Sequence, residues 1–541
     1  MANEKAGRRE HDPRMVQHKE QNKLALKPET WNWDEFLRKG VTDPNLASLL
    51  EQAEHRDRIE DATELVWLLR GIRRELGFYR DNYLDSTFDQ GLADAFEHRL
   101  GSLERCAEEF IEQPATCVWD AYLTLKYDVR KLYKQLGGIV SGSDWQTPGK
   151  HLHAGEQELT DEVGFAQEEE GTYQRCYGSE AVKEYEALAL SQWYSMPAQV
   201  SDHCALFLTT SGMKALELAI AAYKSFAGEG RPCFYQEGFY SEGAALAELL
   251  LNGVKPASPD EIYRMLEAGQ PLGCLIVDPG KCWPLRPAID LGKLFDALER
   301  HRQQQPLYII VDRTLTSIAN RLFERYAKRL PPHVVLISVE SGIKYLQYGF
   351  DLANVGYLVA YSAELATEEG HARWIELLSI LDAGATPLTV RQLPVPDRAT
   401  IVSRLSRMNR NAEWMNAFLR HLAEQVAIQD FSPSVDSADN YFLDDRPWIG
   451  SVFYIRLPGA LTEKQYQERI DACVRAAPSD MHLISGGSFG FDTVRLNAVH
   501  GESDEENALR LSVGRAPLAQ FLATIRTLNE HLLHPIFRNC V

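Results

Sequence analysis

The stretch Ser338-Val339-Glu340-Ser341-Gly342-Ile343-Lys344-Tyr345 follows an apolar run, Val334-Val335-Leu336-Ile337. Upstream stands a second run of the same kind, Tyr308-Ile309-Ile310-Val311-Asp312-Arg313-Thr314. Short runs of β-branched and aliphatic residues predict strands buried on both faces. Leu307 to Val311 then delivers Asp312, and the second strand places Lys344 just past its carboxyl end. In open α/β sheets ligands bind outside the carboxyl ends of the strands. A nucleophilic amine and a carboxylate are thus presented at one edge. Taken singly, each is as well read as a solvated lysine or a helix-capping aspartate.

Three further segments make the pair more than a coincidence. Tyr173-Gln174-Arg175-Cys176-Tyr177-Gly178-Ser179-Glu180 precedes a helical pattern, Lys183-Glu184-Tyr185-Glu186-Ala187-Leu188. Leu206-Phe207-Leu208-Thr209-Thr210-Ser211-Gly212-Met213-Lys214-Ala215 reads as a strand, a Ser-Gly turn and a helix from Ala215 to Phe226. That arrangement points backbone N–H groups and the positive end of a helix at an anion. Asn507-Ala508-Leu509-Arg510-Leu511-Ser512-Val513-Gly514 closes the series, with Ser485-Gly486-Gly487-Ser488-Phe489-Gly490 upstream of it.

In this order the four motifs resemble those of the Cys/Met-metabolism family of pyridoxal-phosphate enzymes. This is the fold-type-I group with cystathionine γ-lyase, methionine γ-lyase and cystathionine γ-synthase. The resemblance spans roughly residue 150 to the C-terminus. It implies an α/β fold: a large domain with a mainly parallel sheet and a smaller C-terminal α+β domain. It also implies pyridoxal 5'-phosphate, which needs a lysine amine for its Schiff base and an acidic partner on the pyridine nitrogen. Lys344 and Asp312 inherit those roles. Gly212 and Met213 are carried over as backbone donors to the phosphate, with the Ser341 hydroxyl. Tyr173 and Arg175 match the residues that reach a neighbouring subunit's phosphate, and Arg suits phosphate oxygens because its planar fork binds them in pairs. Arg510 inherits the substrate carboxylate, with Ser488 beside it. Tyr240, in Gly238-Phe239-Tyr240-Ser241-Glu242-Gly243, takes the place of the ring-stacking tyrosine and acid, with Tyr235 as its rival.

Three departures from the family pattern bear on the pocket. Arg313 replaces an Asn beside the expected ring, Ile343 removes a second hydroxyl, and Trp283 or Cys282 falls where an Asn meets the ring hydroxyl. The expected activity is a lyase acting on the side chain of a γ-substituted L-amino acid. Alternatives within the family are γ-replacement and loss of halide from a chlorinated vinyl amino acid to give propargylglycine. A non-catalytic, cofactor-binding scaffold is the alternative of another class, and retention of Lys344 and Arg510 argues against it. Transamination or decarboxylation is disfavoured by the motifs.

Composition fits such an enzyme. The chain has 541 residues, a quarter of them charged, and a net charge of −20, which argues against nucleic acid as a partner. No apolar run has membrane length and no secretory stretch opens the sequence, so the expectation is a cytoplasmic protein. The resemblance implies a homodimer or homotetramer, its site shared across the interface, acting on a small amino acid. Nine cysteines without zinc spacing predict reduced thiols and no metal. Residues 1–27 read as a disordered arm and 28–149 as a helical extension ending in a Gly-containing linker from Gly137. The large domain is assigned to 150–391 and the small one to 392–541. The extension is read as an added layer at an oligomer interface or over the active-site mouth, with contact to a partner protein as a further reading.

Overall fold

The computed structural model describes residues 26–533 apart from 84–86, 143–179, 195, 198, 229, 283–285, 436–440 and 502. Its centre is a seven-stranded sheet built from β1 (Cys204–Thr209), β2 (Cys233–Gln236), β3 (Lys255–Ala257), β4 (Cys274–Val277), β5 (Leu307–Asp312), β6 (Val334–Ser341) and β7 (Gly356–Tyr361). The order is β1-β7-β6-β5-β4-β2-β3, and every pair is parallel except those that β7 makes with β1 and β6. Along β5, Leu307, Ile309 and Val311 enter the core on one face, and Tyr308 and Ile310 enter the core on the other. Burial on both faces explains why these strands read as unbroken apolar runs rather than alternating ones.

A second sheet holds β8 (Asp430–Pro433), β11 (Val452–Arg456), β12 (Ile484–Ser485), β13 (Arg495–Val499) and β14 (Ala508–Ser512), in the order β12-β13-β14-β11-β8. A short ribbon of β9 (Phe442–Leu443) and β10 (Arg446–Pro447) lies between them in sequence. Arg510 sits on β14, the middle strand of the five, not at an edge.

The N-terminal layer consists of α1 (Pro44–Tyr83), α2 (Thr87–Glu112) and α3 (Trp119–Gly142). Where a linker was expected from Gly137, α3 continues to Gly142. Val129, Leu132, Tyr133 and Leu136 are all buried, and such a packed stripe outweighs the roughly 1 kcal/mol that a glycine costs in a helix. The layer shares one hydrophobic core with the C-terminal sheet, where Leu65, Leu69 and Leu132 join Phe453, Leu511 and Phe521.

Charge crosses the same contact. α4 (Gly212–Ala227) covers the large sheet, and α5 (Arg398–Glu424) carries Arg404 and Arg407 into the N-terminal layer. Arg407 grips both carboxylate oxygens of Asp61, at 2.8 and 3.1 Å. Arg515 lies 2.8 Å from Asp61 and 2.8 Å from Glu64, and Arg404 lies 2.7 Å from Asp492. Lys126 completes the set at 2.6 Å from Glu64 and 2.9 Å from Asp492, while Asp57 takes Arg410 at 2.7 Å and the Leu518 N–H at 3.0 Å. Burial alone would push Glu64 up, but Arg515, Lys126 and Arg404 together hold it well below the usual carboxylate range.

Breaking one partner of such a set leaves an uncompensated buried charge, at a cost of about 3–5 kcal/mol. Arg407→Met, remote from the sheet edge, is expected to lose that much in urea denaturation. Adding Asp61→Asn should recover part of the loss. A single variant within about 1 kcal/mol of wild type would show that the network relaxes or hydrates.

Candidate functional site

The carboxyl ends of β4, β5 and β6, the start of α4 and the face of the second sheet enclose a cavity of about 400 Å³. Lys344 lies in the turn after β6 and lines it, with Asp312 from the end of β5. The Lys344 Nζ donates to Ser488 Oγ at 2.8 Å and stands 5.3 Å from the centre of the Phe489 ring. Burial, then the Arg510 charge, lowers its pKa. Asp312 Oδ1 accepts the Thr314 N–H at 2.8 Å, and burial raises its pKa.

Above this pair, Ser211, Gly212 and Met213 line the cavity where α4 begins. Ser211 caps the helix by accepting the Lys214 N–H at 3.0 Å. The first N–H groups of any helix have no partner inside it, so this turn presents donors to the cavity. A Cβ on Gly212 would lie 2.8 Å from the Cβ of Ser341, so only glycine lets the turn and the end of β6 come this close. Ser341 is itself pinned through its N–H to Thr314 Oγ1 at 3.1 Å.

Arg510 enters from the opposite wall. Its cross-strand neighbours are Tyr454 on β11 and Asn497 on β13, and its Nε donates to Asn497 Oδ1 at 2.9 Å. Tyr454 and Gly487 line the cavity beside it. Tyr240, 40 % exposed, stands at the mouth with its hydroxyl bonded to Glu242. Tyr235 is not among the lining residues and spends its hydroxyl on Glu248 at 2.6 Å.

Two more carboxyl groups line the same space. Asp278, at the end of β4, is 3 % exposed, and burial with the neighbouring Asp312 raises its pKa far above the carboxylate range. Its oxygens accept the Gly280 N–H at 2.7 Å and engage Cys282 Sγ at 3.1 Å. Glu340, on β6, accepts from Ser317 Oγ at 2.5 Å and from the Tyr194 hydroxyl at 3.4 Å. Arg313, expected at the pocket, is buried away from it. One Nη donates to the Ser317 carbonyl at 2.6 Å, and the guanidinium lies 4.5 Å from the Tyr194 ring. Its influence on the cavity is exerted through the charge of Glu340.

The sequence-derived set Lys344, Asp312, Ser341, Gly212, Met213, Tyr240 and Arg510 thus lines one cavity, with Ser488 joined to it through its bond to Lys344. Tyr173, Arg175 and Trp283 fall outside the described residues. Asp278, Glu340, Tyr454 and Asn497 were not singled out in advance as site residues. Asp278 had the same strand-end signal as Asp312, whereas Tyr454 and Asn497 depend on strand register and give no local signal. His500 lies away from the cavity, 3.9 Å from Glu463.

No family model matches the chain. A bifunctional enzyme of Aspergillus flavus, flvA, is 29 % identical over 215 residues, which are 38 % of this chain and 24 % of that protein. The match therefore spans about a quarter of that relative's length. Among solved structures, a Campylobacter jejuni protein described as an O-acetylhomoserine (thiol)-lyase, carrying N'-pyridoxyl-lysine-5'-monophosphate, superposes with a TM-score of 0.50 at 14 % identity. The superposition covers 68 % of this chain and 91 % of that one. Cystathionine γ-synthase from Xanthomonas oryzae gives 0.49 at 16 % identity over 66 % and 88 %, and cystathionine γ-lyase from Lactobacillus plantarum gives 0.49 at 15 % over 70 % and 91 %. The fold is that of fold type I. No described helix is long and apolar enough to cross a membrane.

Glu340 provides a pH test of this geometry. Burial raises its pKa from 4.5 to about 7, with Arg313 and Ser317 opposing and Asp312 adding to the rise. The folded state therefore holds this proton more tightly than the unfolded chain. The resulting stability is complete below pH 4.5 and is lost as pH rises through about 7. Glu340→Gln removes that dependence, so the variant should gain about 3 kcal/mol on wild type between acidic and mildly alkaline pH. Urea denaturation at several pH values reads the difference, and parallel stability curves would contradict the assignment.

Proposed function

We propose that the chain is a pyridoxal-phosphate-dependent enzyme acting on the side chain of a γ-substituted L-amino acid, as a carbon–heteroatom lyase or γ-replacement transferase. The observation that carries this reading is the convergence of Lys344, Asp312, the α4 turn with Ser341, and Arg510 on one cavity. The donor set fits the cofactor. Asp312 is a buried carboxyl that a cationic ring nitrogen would restore to its charged form. The Gly212 turn and Ser341 form a cradle for a phosphate that a Cβ would close. Lys344 would hold the aldehyde carbon, Asp312 the ring nitrogen, and Gly212, Met213 and Ser341 the phosphate. Tyr173 and Arg175 would complete the phosphate site of a neighbouring subunit. When bound, the cofactor supplies an electron sink for charge developing at the substrate Cα.

The remaining steps belong to the chain's own side chains. Arg510 takes the substrate carboxylate with its fork, and Asn497 fixes the guanidinium plane through Nε. This orientation turns the Cα–H bond toward Lys344. The Lys344 Nζ takes the Cα proton, and burial and the Arg510 charge, which lower its pKa, favour the neutral amine this requires. Ser488 holds that amine in place. The same amine moves a proton at Cβ, which frees the γ substituent to leave. The Tyr240 phenol stays protonated, since burial and then the Glu242 bond raise its pKa, and it serves as the acid at the leaving group.

Incubation with a panel of γ-substituted amino acids, halogenated and unsaturated ones included, with products read by mass, tests the proposal and separates elimination from replacement. Lys344→Ala should lose the absorbance band that depends on the lysine linkage and all turnover, even where cofactor is retained through its phosphate contacts. A wild-type protein that takes up no pyridoxal phosphate would end the reading. Arg510→Lys keeps the charge and loses the fork, so kcat/KM should fall by about 2–5 kcal/mol while the absorbance survives. Wild-type kinetics in that variant would place the carboxylate elsewhere.

A shared site makes a separate prediction. Mixing inactive Arg175→Ala with inactive Lys344→Ala should restore some activity, because one site of a mixed dimer then has both intact residues. Full activity in a strictly monomeric preparation would contradict the shared site.

A further inference from the structure

The loop that follows the reactive lysine is strained. Tyr348 has φ +54°, Gly349 +80° and Asp351 +49°, so three of four consecutive residues occupy the left-handed region. For an aromatic side chain such a conformation is an outlier, and each non-glycine residue there costs of order 1–3 kcal/mol. It persists only where the surroundings impose it.

The surroundings here are the N-terminal layer. Lys126 Nζ donates to the Tyr348 carbonyl at 2.7 Å. Arg130, one helical turn further along α3, donates through Nε to the Phe350 carbonyl and through Nη2 to the Asp351 carbonyl at 2.9 Å. The Trp67 ring of α1 lies 4.8 Å from that of Tyr348, and the Tyr133 ring of α3 lies 5.6 Å from that of Phe350. Lys126 also holds Asp492, and Arg404 joins Asp492 to the Gly490 carbonyl at 3.1 Å. Gly490 packs so tightly on the lysine's own backbone that an added Cβ would lie 2.1 Å from the Lys344 carbonyl oxygen. Ser488, which accepts the Lys344 Nζ, is two residues away. Both chain segments that fix Lys344 are therefore tied to α3.

We propose that Lys126 and Arg130 are positioning residues for Lys344, acting by clamping the left-handed loop Tyr348-Gly349-Phe350-Asp351 against the N-terminal layer. The helical extension is then a structural part of the active site, mounted behind the lysine rather than over the mouth. The inference rests on the reading of Lys344 as the reactive amine.

Arg130 is the better probe, because it is only partly buried and lies outside the balanced charge network. Arg130→Gln should leave the urea midpoint of the cofactor-free protein near wild type. Hydrogen exchange of the 345–351 amides should accelerate on the order of tenfold while exchange in β5 and β6 stays unchanged. With pyridoxal phosphate and a substrate that wild type turns over, kcat should fall on the order of tenfold, with KM within about twofold. That is a fraction of the hundredfold that 1 Å of misplacement can cost. Arg130→Lys retains one donor and should recover part of both effects.

Lys344 also faces Arg510, Arg495, Asp351 and Glu242. Asp351 is the member of that group held by Arg130, and its charge raises the Lys344 pKa. Wild-type exchange across 345–351 in Arg130→Gln would overturn the clamp, and faster exchange with wild-type kcat would overturn its role in positioning. Failure of wild type to load pyridoxal phosphate would instead strike the proposed function, and the exchange measurement would still decide the clamp.

Discussion

Asp57, Asp61, Glu64 and Asp492 face Lys126, Arg404, Arg407 and Arg515 in a space closed to water. These four carboxylates and four cations, with the less buried Arg410 also on Asp57, nearly cancel, and this balance makes the burial tolerable. Desolvating a single ion costs several kcal/mol, which mutual attraction repays only with good geometry and full hydrogen bonding. Here the geometry is supplied by bidentate contact and by the Tyr348, Gly490 and Asp57 carbonyls, which accept from Lys126, Arg404 and Arg407, while the Nε atoms of Arg404, Arg407 and Arg515 stay without a hydrogen-bond partner. The arrangement is not an economical source of stability, since apolar residues of equal volume often do as well. It does fix register. Apolar helices can slide by a turn, but a helix bearing Asp57, Asp61 and Glu64 meets Arg407, Arg515 and Lys126 in one alignment only.

That alignment carries the N-terminal layer to the chemistry. The set reaches Tyr348 and Gly490, which flank the segment bearing Lys344 and the segment bearing Ser488. A displacement of α3 therefore moves the amine and its partner together. The large sheet delivers Asp312 and the α4 turn independently of this layer. The site is thus assembled from two supports, and the charge network fixes one relative to the other.

How much of this was legible in sequence follows from the range of each signal. The strands ending in Asp312 and Lys344 were readable because burial on both faces leaves an unbroken apolar run. The Ser-Gly turn before α4 was readable because its requirement is local. Tyr454 and Asn497 flank Arg510 only through strand pairing that joins residues far apart in the chain, and no local pattern marks them. The charge network misleads in the opposite direction. Asp57, Asp61 and Glu64 recur at helical spacing and look like a solvated face, yet that face is buried. Only the matching pair Arg404 and Arg407, spaced for one face of α5, carries the complementary hint. Arg313 fails for a similar reason: its sequence position is beside the pocket, but its side chain turns to Tyr194 and Ser317.

The proton inventory of the cavity follows from the same electrostatics. Among the described residues, Asp278, Asp312, Glu340 and Glu242 line it with Lys344 and Arg510 as the cations. Asp278 and Asp312 end adjacent parallel strands, with Val277 paired to Val311 just before them. Burial raises the pKa of both, and the Asp312 charge raises that of Asp278 further, so the pair favours holding a proton. A cation placed against Asp312 draws the charge to that residue and leaves the proton on Asp278, beside the Cys282 thiol that burial also keeps protonated. Asp278 then becomes a neutral acid, able to donate into the cavity as a carboxylate cannot. The wall around the proposed ring site then sets the Asp312 charge beside the protonated Asp278 and Cys282.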